Sequence, residues 1–199
     1  MTTDPDPLNL VLDHLILGDK ASARLTLRER LPFERIEKKQ RSYTPLQAMR
    51  VFLRDGFIDR YSGRRLVFPA ALRLISLELP EEFPFHSNWK FSETHRAYWD
   101  LIPTIDHVLP VAVGGSDDET NWATTNMIHN SAKGLWTLDE LGWEIHGPGN
   151  LDEWDGLASK TVEHTEMHGF PDGDTYIARW VKAYQKAKGA QAKPLAATN

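Results

Sequence analysis

The chain contains no cysteine. Disulfides are therefore excluded, and so is any zinc site built on thiolates. Apolar runs approaching the roughly 20 residues that span a bilayer are also missing. The first residues, MTTDPDPLNL, carry acid where an export leader carries base, so the expected location is a reducing cytoplasm. The net charge of −5 argues at first sight against a nucleic-acid partner, but the charge is unevenly spread. Residues 20–65 hold 13 Lys and Arg against 5 Asp and Glu, whereas residues 66–199 hold 10 against 19. Screening beyond roughly 8 Å at physiological salt lets a basic segment contact phosphates beside an acidic body. Taken alone, a solvated helical face is the simpler account of that segment.

What is present is ordinary for a globular chain: 199 residues, 41% hydrophobic and 26% charged. Leu8 to Leu17 and DKASARLTLRER read as helices. TPLQ supplies a helix start, with Thr44 as N-cap, Pro45 at the first helical position and Gln47 completing a capping box; the stop is expected near Gly56. FIDRYSGRRLVF reads as two short β runs around Ser62-Gly63, and Pro69 to Pro80 encloses a further helix. SETHRAYW reads as one short helix, TIDHVLPVAV as a strand ended or bulged at Pro110, and WATT as a returning strand. A helix is expected from Asn126 to about Leu135, another capped by Thr137 and Glu140, and two more over 151–168 and 174–188.

The chemistry concentrates in TIDHVLPVAVGGSDDETNWATTNMIHNSAKG, residues 104–134. Asp106 offers a hard carboxylate oxygen suited to Mg²⁺ or Mn²⁺. His107 can take a proton from water near neutral pH. As neighbours on a strand their side chains point to opposite faces unless the strand bends. On the helix, Asn126, Asn130 and Lys133 share one polar face. Ile128, Ala132 and Leu135 share the opposite face, which is expected to bury. Asn130 can lend an amide oxygen to a metal, and Lys133 can hold a phosphate.

Asp-His on a strand, Asn121 fourteen residues after His107, Asn130 nine later and Lys133 three beyond resemble the HNH endonuclease family over residues 104–134. The resemblance implies an α+β protein whose ββα-metal core carries N-terminal and C-terminal helical additions. It implies that Asp106 and Asn130 ligate one Mg²⁺ or Mn²⁺ and that His107 is the general base. Asn121 would bridge the loop and help orient the histidine, and Lys133 would sit at the reacting phosphate. DNA is the implied partner, with cleavage leaving 5′-phosphate and 3′-hydroxyl ends. Many members brace this core with two Cys-x-x-Cys pairs on zinc; no structural zinc is expected here, and packing around the YSGRRL turn must replace it. The expected organisation is a basic helical region over 1–56, an HNH core over 57–146, C-terminal helices over 147–190 and a frayed tail over 191–199.

Other readings stay open. A non-catalytic DNA-binding or scaffold protein on the same fold is the alternative, although it would not need both a ligand pair and a base. A secreted nuclease toxin fits less well, given the acidic start. His129 is a rival ligand but lies about 100° from Asn130 around the helix. His164 and His168 are expected as an exposed pair, His86 and His95 as packing residues, and Trp122, Trp136, Trp143 and Trp154 as core. For Arg60, Arg64 and Arg65, phosphate contact and plain solvation are equally open.

Overall fold

The capping box announced by TPLQ is formed. Thr44 Oγ1 accepts from Gln47 N, and Gln47 Oε1 accepts from Thr44 N. It starts a helix, α3, over Pro45–Arg54, in a computed structural model that describes residues 4–33, 43–171 and 173–191. The chain divides into two units, 1–40 and 41–199. In the first, α1 (Asp6–Ile16) and α2 (Lys20–Arg30) pack on each other, and Asp19 caps α2 through the amides of Ala21 and Ser22. The division falls before α3 and not at the expected residue 56, because α3 buries Ala48, Met49, Val51, Phe52 and Leu53 in the second unit.

That unit is α+β. It runs α3, α4 (Pro69–Glu78), α5 (Ala97–Leu101), β1 (Pro103–His107), β2 (Trp122–Asn126), α6 (Met127–Lys133), α7 (Leu138–Leu141), α8 (Ala158–His168) and α9 (Thr175–Gln191). The two strands pair antiparallel, with Asp106 opposite Ala123 and His107 opposite Trp122. Helix α6 follows β2 directly and packs on both strands, while α3 backs them from the core side. Phe52, Phe57 and Phe68 form the centre of that core: Phe52 stacks on Trp180 at 6.1 Å, and Phe68 packs on Tyr184 at 5.8 Å. No helix among the described residues is long and apolar enough to cross a membrane.

Four expectations needed correction. The FIDRYSGRRLVF turn forms with Gly63 at φ +71°, but only Ile58 and Arg65 bridge as strands do. The Asp59 carboxylate bonds to Tyr61 N and draws the backbone into a turn instead of a ladder. Residues 151–157 are turns, not helix, because Gly156 and Leu157 both take positive φ, which no α-helix accommodates. SETHRAYW splits into a 3₁₀ turn over Phe91–Glu93 and α5, separated by extended Thr94, whose hydroxyl accepts from His86 N. Trp136 is 53% exposed and outside the core; Trp122 is buried, with Trp143 and Trp154 partly so. The expected frayed tail lies outside the described residues, apart from Gln191.

Candidate active site

Strand alternation sends Asp106 and His107 to opposite sides of β1, and each finds a different set of partners. Asp106 Oδ2 accepts from the Tyr61 hydroxyl at 2.6 Å and lies 2.9 Å from Lys133 Nζ. Burial, followed by the neighbouring Asp106 carboxylate, pushes the Tyr61 hydroxyl far above the ordinary tyrosine range. Tyr61 is therefore a permanent donor to Asp106. Lys133 is completely buried and also donates to the His107 carbonyl at 2.7 Å. The ammonium thus ties the end of α6 to β1 through both a carboxylate and a backbone oxygen.

The inward face of α6 is the reverse of the expected one. Asn126, Asn130 and Lys133 point at the strands, whereas Ile128 and Leu135 are 39% and 48% exposed and Ala132 is exposed too. The reason lies in the strands, which offer this helix polar acceptors in place of an apolar surface. Asn126 Oδ1 caps α6 through His129 N at 2.7 Å, and its Nδ2 donates to Asp100 O. Asn130 Nδ2 donates to Thr104 Oγ1 and Ile105 O, both at 3.1 Å. A buried polar helix face is stable only when its groups are paired in this way.

His107 is 4% exposed. Its Nε2 lies 2.7 Å from Asp117 Oδ1, and the Trp122 indole nitrogen lies 3.0 Å from Nε2 and 3.3 Å from the same carboxylate oxygen. An indole N–H can only donate, and an imidazole nitrogen this close to a carboxylate oxygen shares a proton with it. Both requirements are met when Nε2–H and the indole N–H each donate to Asp117. In the neutral ring Nδ1 is then the basic nitrogen. Asp117 is half exposed, so solvent reaches the couple from the loop side.

The loop over 108–121 is held by Asn121. Its Oδ1 accepts from Leu109 N at 2.9 Å, and its Nδ2 donates to Leu109 O and Ser116 O, both at 2.8 Å. Asn121 therefore ties the loop together through its backbone, and among the described residues no hydrogen bond joins its side chain to His107. Gly115 has a steric reason: a Cβ there would collide with Leu109 O and sit 2.8 Å from Asn121 Nδ2, whereas Gly114 takes a positive φ of +98°.

No protein-family model matches the chain. No curated protein and no solved structure was found to be similar to it either.

His129, the rival ligand, is engaged elsewhere. Its Nδ1 meets Asp59 Oδ2 at 2.5 Å, while Asp59 Oδ1 accepts from Tyr61 N and Thr125 Oγ1, each at 3.0 Å. Asp59 is fully buried, so this pair braces the Tyr61 turn against β2 and α6. A second buried carboxylate, Asp55, gathers Arg54, Arg60 and the amide of Thr124. Sequence reasoning missed Asp55, Asp59, Tyr61 and Asp117. Only Asp117 carried a signal, as one acid of the SDDETN cluster beside the Gly-Gly loop.

The three arginines separate. Arg60 is taken up internally, with Nη1 2.8 Å from Asp55 and Nε donating to His146 O. Arg64 and Arg65 are exposed, and the Arg65 guanidinium lies 5.2 Å over the Trp154 ring. Part of the basic segment, residues 34–42, lies outside the described residues. If Arg64 and Arg65 contact the phosphates of a nucleic acid, replacing them with alanine should flatten the log–log salt dependence of its binding by ~0.9 per lost contact. Arg60→Ala should instead lower thermal stability, because it strips a partner from buried Asp55. Salt titrations and thermal melts of the variants check both halves.

Among the described residues no group of three or more His, Asp or Glu side chains is placed to hold a metal ion, so any cation here would rest on Asp106 and Asn130 with water. Asp106 Oδ1 and Asn130 Oδ1 accept no hydrogen bond among the described residues, although the other polar atoms of both side chains are engaged. One carboxylate and one amide oxygen, completed by water, are the ligands that Mg²⁺ and Mn²⁺ prefer.

Proposed function

We propose that this protein is a divalent-metal-dependent endonuclease that hydrolyses DNA phosphodiester bonds, with β1, β2 and α6 as a ββα-metal core of the HNH type. The observation that carries the reading is one compact arrangement. A strand presents Asp106 toward α6 and His107 on its other side, a pinned loop returns to a second strand, and the helix that follows places Asn130 on the Ile105 carbonyl beside Asp106.

In this reading Asp106 and Asn130 would hold a divalent ion. A bound divalent ion would polarise the scissile phosphate and stabilise charge on the leaving oxygen. His107 Nδ1 removes a proton from the attacking water while Nε2–H stays on Asp117. The water oxygen bonds to phosphorus as the bond to the 3′ oxygen breaks. That oxygen leaves with a proton from solvent, giving a 5′-phosphate and a 3′-hydroxyl. Asp117 acts through His107 by fixing its tautomer and stabilising the imidazolium that forms, which makes it a positioning residue. Asn121 keeps the loop that carries Asp117 in place.

Plasmid cleavage with Mg²⁺, Mn²⁺, Zn²⁺ and EDTA tests the proposal. Mg²⁺ or Mn²⁺ should support cleavage, EDTA should stop it, and Zn²⁺ should not be preferred. DNA binding without cleavage under every metal would leave the non-catalytic alternative in its place. Best activity with Zn²⁺ would instead move ligation to His129.

A further inference from the structure

The aromatic stretch before β1 does more than fill the core. Phe85, Trp89 and Tyr98, joined by Tyr176 at the start of α9, line an open cavity of about 190 Å³ that also touches the ion pair of Arg73 and Asp174. The proposed nuclease centre uses none of these residues. Trp89 holds its place with φ +53°, a left-handed conformation that is rare for a bulky residue and is found where surrounding structure enforces it. Phe85 and Tyr98 lie 4.8 Å apart, and Trp89 meets both at close to a right angle.

The polar edge is built as firmly. Asp174 Oδ1 accepts from the amides of Tyr176 and Ile177, and its Oδ2 accepts from Arg73 Nε at 2.8 Å. Burial works to raise the Asp174 carboxyl, but the bonds from Arg73 and those amides outweigh it and hold the pKa below the usual range. Burial pushes the Tyr176 hydroxyl up to about 12, so it remains a neutral phenol. The lining is thus aromatic, and one edge carries a guanidinium donor beside a carboxylate acceptor.

Size and charge narrow the ligand. Sites for drug-sized molecules span roughly 300–1,000 Å³, so this cavity suits one ring system. A methylammonium group would meet the Arg73 guanidinium, which already lies 5.0 Å over Phe85 and repels a second cation. A neutral, planar heterocycle carrying both hydrogen-bond donors and acceptors on its edge meets no such conflict. We propose that this cavity is a stacking site for a single unpaired nucleobase, read at its edge by Arg73 and Asp174. The inference rests on the endonuclease reading for its choice of DNA. Tyr98 lies eight residues before Asp106, on the helix that leads into β1.

The test compares a duplex carrying one bulged base with the same duplex carrying an abasic residue at the bulge, by fluorescence anisotropy in EDTA. Stacking on aromatic side chains adds ~1–3 kcal/mol per base, so the bulged base should bind roughly 5- to 150-fold more tightly. Trp89→Ala should remove most of that preference. Asp174→Asn, which keeps an oxygen to cap α9, should change which base is preferred while leaving affinity for the abasic duplex unaltered. Equal affinities in the wild-type protein would overturn the inference, even with cleavage intact. A preference surviving both substitutions would overturn it as well, since the base would then bind elsewhere. Base discrimination without cleavage in Mg²⁺ or Mn²⁺ would support the cavity and overturn the nuclease reading. Failure to bind either duplex would overturn both.

Discussion

His107→Ala should reduce DNA cleavage by ~10²–10⁴-fold, the usual loss when a general base is removed. DNA affinity and the thermal melt should change little. Among the described residues the buried imidazole has the half-exposed Asp117 as its side-chain hydrogen-bond partner, with the Trp122 indole nitrogen 3.0 Å from Nε2. Asp117→Asn gives the diagnostic contrast. An amide can donate to Nε2, which would place the proton on Nδ1 and leave that nitrogen unable to act as a base. Turnover should fall by ~10–100-fold, the range typical of partners that orient a reacting group. The acidic limb of the pH–rate profile should move, while KM stays near wild type. A merely structural aspartate would lower stability and leave the profile in place. Cleavage by His107→Ala within threefold of wild type would remove the histidine from the mechanism.

How much of this was visible beforehand depended on whether the signal was local. The Thr44 and Thr137 capping boxes, Pro45, Pro69 and Gly142 act within a few residues of themselves, and the helices begin or end where those residues place them. WATT was legible as β2, whereas the strand read over TIDHVLPVAV stops at His107, and Val111–Val113 beyond Pro110 form a 3₁₀ turn. The orientation of α6 was not. Helical periodicity separates an Asn-Asn-Lys face from an Ile-Ala-Leu face, but only the partner surface decides which turns inward. Here that surface carries Asp106, Thr104 and two strand carbonyls, and it draws the polar face in. Partners distant in sequence were equally hidden: Tyr61 reaches Asp106 across 45 residues, and Asp59 reaches His129 across 70. No spacing rule connects such pairs, because chain folding alone brings them together.

The same reversal changes what Lys133 should do. Read from the sequence, Lys133→Ala lowers turnover more than affinity, as loss of a phosphate clamp would. Its burial predicts a different result for Lys133→Met, which preserves most of the volume and removes the charge. Asp106 would be left buried at 5% exposure with Tyr61 as its remaining side-chain donor. Breaking one side of a buried ion pair costs ~3–5 kcal/mol. For a domain of this size that corresponds to a fall in Tm of about 6–20 °C. Asp106→Asn in the same chain should recover much of the loss, because the remaining carboxylate charge is what makes the single variant costly. Magnesium supplies the decisive arm. If Asp106 ligates the ion, a cation can replace the missing ammonium, and Mg²⁺ should raise the Tm of Lys133→Met by more than it raises that of the wild type. In the double variant that difference should vanish. A Lys133→Met protein that melts with the wild type but turns over slowly would restore the lysine to the phosphate. A large loss of stability that Mg²⁺ does not touch would keep the lysine as a brace and take Asp106 out of the metal site.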